Sequence, residues 1–93
     1  MIKSFAHKGI QDFFETGSKA GIQAAHSPRL SRILARLNEA QTAQDMNLPG
    51  WKLHPLKGRL LRGHYSVWVN GNWRITFAFE GKDAVLIDYQ DYH

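Results

Sequence analysis

Histidine, tyrosine, aspartate, lysine and arginine side chains can move protons and steady a phosphate without a metal, and this chain gathers them in its second half. Asp91-Tyr92-His93 ends the sequence, close behind the apolar run Ala84-Val85-Leu86-Ile87. His54 and Lys57 flank Pro55-Leu56, and Arg74 sits within an aromatic run from Trp73 to Phe79. This set fits one reaction well: cleavage of RNA by attack of its own 2′-hydroxyl on the adjacent phosphate. Such a reaction needs a base for the hydroxyl, an acid for the leaving 5′-oxygen, and cations around the phosphate as its charge rises. Arg74, Lys57 and Arg62 are candidates for the cations, arginine being suited because its fork matches two phosphate oxygens. His54, Asp91, Tyr92 and His93 are candidates for the proton transfers. Tyr92 or Trp68 offers a ring on which a splayed base can stack.

Each of these residues also has a purely structural use. His54 beside Pro55 can be a strand-end histidine, Lys57 before Gly58 a turn lysine, and Tyr92 a ring that caps the core. Arg74 can be a cation–π partner of Trp68 or Trp73. Their convergence, rather than any one of them, carries the reading. Metal chemistry is not expected: the chain has no cysteine, no His-x-x-x-His pair and no glutamate-rich face. No glycine-rich phosphate loop or Gly-x-Ser-x-Gly elbow is present, so no cofactor is expected either.

Ninety-three residues make one domain, 1–93, too short for two cores. Without cysteines there are no disulfides, which suits a reducing cytoplasm. No apolar stretch is long enough for a signal peptide or a membrane span, so a soluble cytoplasmic chain is expected. Net charge is +4. Between Asp45 and Glu80 there is no carboxylate at all, while that interval holds Lys52, Lys57, Arg59, Arg62, Arg74, His54 and His64. A positive zone of this kind draws polyanions by steering and counterion release.

The elements that must position these residues follow from hydrophobic period. Ile2 to Phe5 alternates as a short strand, and His7 to Thr16 carries Ile10, Phe13 and Phe14 at helical spacing, with Gly17 as a stop. Ser18 to His26 is a connector of small residues. Ser27-Pro28 opens a second helix, with the serine as a cap. Leu30, Ile33, Leu34, Leu37 and Ala40 form its apolar stripe. Arg29, Arg32 and Arg36 occupy another face as a solvated row, Arg36 within reach of Glu39. From residue 51 the period becomes two. Lys52-Leu53-His54 is a short strand, and Tyr65 to Val69 and Trp73 to Phe79 flank Asn70-Gly71-Asn72 as a hairpin. Matching Val67 and Val69 to the buried face of Trp73, Ile75, Phe77 and Phe79 requires a three-residue loop. Glu80 to Asp83 is a second turn into the last strand. The result is an α+β domain: an antiparallel sheet of about four strands, two N-terminal helices on one face, and Arg74 on the open face.

Three segments resemble the HigB-type toxins of the RelE/ParE superfamily: Lys52-Leu53-His54-Pro55-Leu56-Lys57-Gly58, Asn72-Trp73-Arg74-Ile75-Thr76-Phe77 and Asp88-Tyr89-Gln90-Asp91-Tyr92-His93. The opening Met1 to Phe5 with His7-Lys8-Gly9 is similar to the start of that family, and the match is weakest between Gly17 and Trp51. The resemblance implies a RelE-like fold and a toxin that degrades mRNA in the ribosomal A site of the 30S subunit, inhibiting translation. It implies a HigA-like helix-turn-helix antitoxin as partner, through which alone operator DNA would be bound. Lys57 and Arg74 would stabilise the scissile phosphate, while His54, Asp91, Tyr92 and His93 would handle proton transfer and base placement. Lys52, Arg59, Arg62, His64 and Trp68 would be RNA contacts. Which of His54, Tyr92 or His93 takes the first proton stays open. A gyrase-inhibiting toxin of the ParE type shares the fold and is the competing reading, although it has no need of the C-terminal polar cluster.

Overall fold

A computed structural model describes residues 1–92. Helix α1 spans Lys8–Thr16, with the Nδ1 of His7 accepting from the Ile10 N–H at its start and Gly17 closing it through a bond to the Phe13 carbonyl. Helix α2 spans Ser27–Glu39 and buries Leu30, Ile33, Leu34 and Leu37, with Ala40 just beyond. Its start differs from expectation. A 3₁₀ turn at Ala24–His26 runs directly into the helix, so Ser27 is already helical and caps nothing.

Four strands follow: β1 (His54–Pro55), β2 (His64–Asn70), β3 (Trp73–Glu80) and β4 (Asp83–Asp91). They form one antiparallel sheet in the order β1-β2-β3-β4. The N-terminal segment is not a full strand. It makes two parallel bridges to β4, Ile2 to Ala84 and Phe5 to Ile87, which satisfy part of the outer edge of that strand. The stretch from Lys52 is also shorter than alternation suggests. Lys52 has φ +52°, a left-handed conformation incompatible with a strand, and pairing begins only at His54.

In the β2–β3 hairpin Val67 faces Ile75 and Trp68 faces Arg74, the register of a three-residue loop. The ladder then slips so that Asn70 pairs with Trp73, leaving Val69 as a bulge at the turn. Val67, Val69, Ile75 and Phe77 are buried with Ile10 and the α2 stripe in a single core, as the shared face requires. A second bulge lies in β4. Thr76 pairs with Asp88 but Ala78 with Val85, so Leu86 and Ile87 together oppose Phe77. Ile87 is thereby turned fully into the core while Leu86, at φ +57°, is turned out and is 47% exposed.

Two arginines on α2 are anchored rather than freely solvated. The Nε of Arg29 donates to the Trp68 carbonyl at 3.1 Å and its Nη2 to the Gly50 carbonyl at 3.0 Å. The Arg36 Nε donates to the Asp45 carbonyl at 2.9 Å, and no ion pair with Glu39 forms among the described residues. Among these residues no helix is long and apolar enough to cross a membrane.

Candidate active site

Cross-strand pairing sorts the open face into transverse rows. His54 on β1 faces Ser66 on β2, Ser66 faces Thr76 on β3, and Thr76 faces Asp88 on β4. One step along, Trp68, Arg74 and Gln90 form the next row. Neighbouring strands lie about 4.8 Å apart, so the backbones carrying His54 and Arg74 are roughly 10 Å apart across the sheet. Ser66 and Thr76, in the middle of the face, are nearly inaccessible at 4% exposure each. They form a floor of short polar side chains with longer groups around it.

Over Ser66 lies a cavity of about 490 Å³, while Thr76 lines the cavity next to it. The cationic wall of the first is Lys52, Lys57 and Arg74, and His54 and Tyr92 supply the groups able to exchange protons. Pro55, Leu56 and Ser66 complete the lining. Arg74 is aimed by its own hairpin: its Nη1 donates to the Gly71 carbonyl at 3.1 Å and to the Trp73 carbonyl at 3.0 Å. Those bonds use one nitrogen of the fork and leave Nε and Nη2 for an anion. Lys57 is carried by the loop that leaves β1, where Gly58 at φ +109° takes a backbone conformation closed to other residues. Tyr92 is tied to the hairpin from the other side, its N–H donating to the Asn72 carbonyl at 2.8 Å. The chain is therefore held to the hairpin as far as Tyr92.

Not every candidate reaches this cavity. Asp91 pairs with Trp73 at the end of β4, and alternation puts it on the side of Tyr89, away from Tyr92. His93 lies outside the described residues. Arg59 and Arg62 line a separate basic cup of about 420 Å³ with Gly58, on the loop beyond Lys57. His64 lines a third cavity next to the first. Trp68 lies under two cations, with the Lys52 ammonium 4.6 Å and the Arg29 guanidinium 5.1 Å from its ring centroid, and its Nε1 donates to the Gly71 carbonyl at 3.0 Å. Arg74 is not its cation–π partner. Among the described residues no three His, Asp or Glu side chains cluster closely enough to hold a metal ion.

Two groups escaped the reading from sequence. Asp88 and Gln90 lie on the open face beside Arg74, a placement that alternation from Tyr92 would have given. His26 is the other. It is buried on the helix-covered face with its Nδ1 2.6 Å from the Tyr89 hydroxyl, and nothing in the connector Ser18 to His26 signals that contact.

Residues 3–93 match the family described as RelE-like toxin of type II toxin-antitoxin system HigB. The chain is also 43% identical over 93 residues to the protein named Endoribonuclease HigB from Proteus vulgaris, an alignment that covers 100% of both chains.

Proposed function

The chain belongs to the RelE-like toxins of the HigB type II toxin–antitoxin system, and from that premise we infer that it is an endoribonuclease and propose that it cuts mRNA in the ribosomal A site. Membership implies an antitoxin that restrains it. The observation that carries the reading is the cavity in which Lys57, Arg74, His54 and Tyr92 converge on a polar floor. Arg74 and Lys57 hold the scissile phosphate and offset the charge that grows on it as the 2′-oxygen attacks. His54 and Tyr92 stand where they can take the 2′-hydroxyl proton and return one to the departing 5′-oxygen. The P–O5′ bond breaks as the P–O2′ bond forms, giving a 2′,3′-cyclic phosphate and a 5′-hydroxyl. The ribosome supplies the substrate geometry, which can lower a barrier by several kcal/mol. We further propose that the antitoxin carries a helix-turn-helix fold and that operator DNA is bound through it. Gyrase inhibition, the competing reading, makes no use of this cavity.

The test is a programmed bacterial translation reaction with mRNA ends mapped in the presence of the protein, Arg74→Ala or Tyr92→Phe. The expected result is new ends within the A-site codon bearing cyclic phosphate, dependent on ribosomes and lost in both variants. Intact mRNA, or cuts that leave a 5′-phosphate, would overturn the mechanism.

A further inference from the structure

On the helix-covered side of the sheet lies a buried polar pair that the proposed reaction does not use. His26 and Tyr89 are 7% and 5% exposed. The Tyr89 hydroxyl is held from two sides: it lies 2.6 Å from the Nδ1 of His26 and accepts from the Gln23 N–H at 3.4 Å. An apolar pair would fill the same space without hydrogen bonds. A buried hydroxyl adds little net stability, because folding exchanges its bonds to water for these. What a fully bonded network adds is a single arrangement of the groups it joins.

Here the groups joined are the connector, β4 and the β2–β3 hairpin. Tyr89 stacks on Trp73 with ring centroids 4.4 Å apart, and His26 meets the same indole edge-on at 5.8 Å. Two bonds on the hydroxyl fix the phenol ring, and stacking on that ring fixes the indole. Trp73 opens β3 directly after the turn. The Gly71 and Trp73 carbonyls accept from Arg74 Nη1, and the Asn72 carbonyl accepts from the Tyr92 N–H. Three successive carbonyls beside one anchored indole therefore orient both Arg74 and Tyr92. The ladder to β2 does not fix this turn by itself, because its register slips at the Val69 bulge.

We propose that His26 and Tyr89 are positioning residues: acting through Trp73, they hold the turn 71–73 in the arrangement that aims Arg74 and Tyr92 at one phosphate. The proposal rests on the nuclease reading above, since the cleavage step is what needs both groups aimed together. Neither His26 nor Tyr89 touches the RNA. Without their bond the basic face still binds RNA, but Arg74 and Tyr92 share the reactive geometry for a smaller fraction of the time. The loss therefore falls on kcat and spares KM.

The experiment pairs amide hydrogen exchange, followed by NMR, with cleavage kinetics on programmed ribosomes, both on the full-length protein. Tyr89→Phe removes the hydroxyl but keeps the ring on Trp73, and His26→Phe removes the nitrogen. His26→Asn places an amide, able to donate or accept, where Nδ1 stands. In Tyr89→Phe and His26→Phe the Tyr92 N–H is expected to exchange about tenfold faster, while the N–H groups of Ile33 and Leu34 inside α2 keep their rates. Both variants are expected to lose about tenfold in kcat at unchanged KM, and His26→Asn to recover both readings. An unchanged Tyr92 amide in Tyr89→Phe, an equal acceleration at Ile33 and Leu34, or a His26→Asn as impaired as His26→Phe overturns the positioning role. Tyr89→Phe decides alone if His26→Phe does not fold. The two readings also fail separately. Uncut mRNA with a loosened Tyr92 amide sinks the nuclease reading and leaves the fastening of the turn standing, and cut mRNA at one kcat in every variant does the reverse.

Discussion

His26 and Tyr89 form a buried polar pair whose protonation ties stability to pH at both ends of the scale. The Tyr89 oxygen accepts from the Gln23 N–H and lies 2.6 Å from the Nδ1 of His26. His7 on the N-terminal side meets the Tyr89 ring edge-on, Trp73 stacks on it at 4.4 Å, and the Asp91 charge disfavours the phenolate. Burial lowers the His26 pKa from its ordinary 6.5, and burial raises that of Tyr89 from 10.0. For His26 the unfolded chain binds the proton more readily than the folded one. Its contribution is complete above about 6.5 and is lost as pH falls below that value. For Tyr89 the contribution is complete below about 10 and is lost as pH rises above it. Urea midpoints measured from pH 4.5 to 8 should therefore fall on the acid side, and His26→Phe should flatten that limb. An unchanged acid limb in the variant would assign the loss to other groups. The residues proposed for the active site make a different kind of prediction. Lys57 is exposed and makes no hydrogen bond or ion pair to another side chain among the described residues, so its removal should spare the fold. Lys57→Ala should lower the rate of mRNA cleavage about 10²-fold, as loss of one transition-state cation does, with an unchanged melting temperature. A fall in melting temperature that matched the loss of rate would reduce Lys57 to a turn residue.

At the level of elements, the sheet aims the site and the helices hold the sheet. Helix α1 meets the connector where Gly9 and Gly21 touch: a methyl on Gly9 would lie 2.5 Å from the Gly21 carbonyl oxygen. Backbone cannot yield as a side chain tip can, so Gly9→Ala should destabilise the fold by about 1–3 kcal/mol despite its better helix propensity. A urea titration in which Gly9→Ala equals or exceeds the wild type would refute that close approach. Much of this architecture was legible because period reports burial. The α2 stripe, the face of Arg74 and the hairpin register all follow from which side chains must meet in one core. What escaped the pattern has local causes. Alternation running from Ala84 puts Leu86 inside, and only the bulge opposite Phe77 moves Ile87 there instead. A left-handed Lys52 cuts short a strand that its neighbours favour. Arg29 sits in a row that looks solvated, yet backbone carbonyls from Trp68 and Gly50 fold over it. Within the site, alternation alone separates Asp91 from Tyr92. The grouping of Lys57 with Arg74 needed the loop geometry at Gly58, which composition does not encode.

The whole molecule measures 31 × 28 × 26 Å, several times the Debye length of about 8 Å at physiological salt. Its net +4 therefore matters less to a polyanion than where the charge stands. The cations of the carboxylate-free stretch are displayed by the cavity of Lys57 and Arg74 and by the neighbouring Arg59–Arg62 cup, so a phosphate chain can meet both. If four phosphates are neutralised on docking, a slope of about −0.7 per phosphate makes a fourfold rise in salt cost roughly fiftyfold in affinity. Ribosome association measured from 50 to 200 mM salt should show this fall. Arg59→Ala and Arg62→Ala should each take about 0.7 off the slope, the share of one phosphate. Arg29→Ala is the contrast, because its guanidinium is spent on the Trp68 and Gly50 carbonyls and on two indole rings. That variant should lower stability while leaving the slope nearly unchanged. Equal slopes in all three variants and the wild type would mean that docking is not driven by phosphate contacts on this face. The basic stretch would then have to be explained by an acidic segment of the antitoxin.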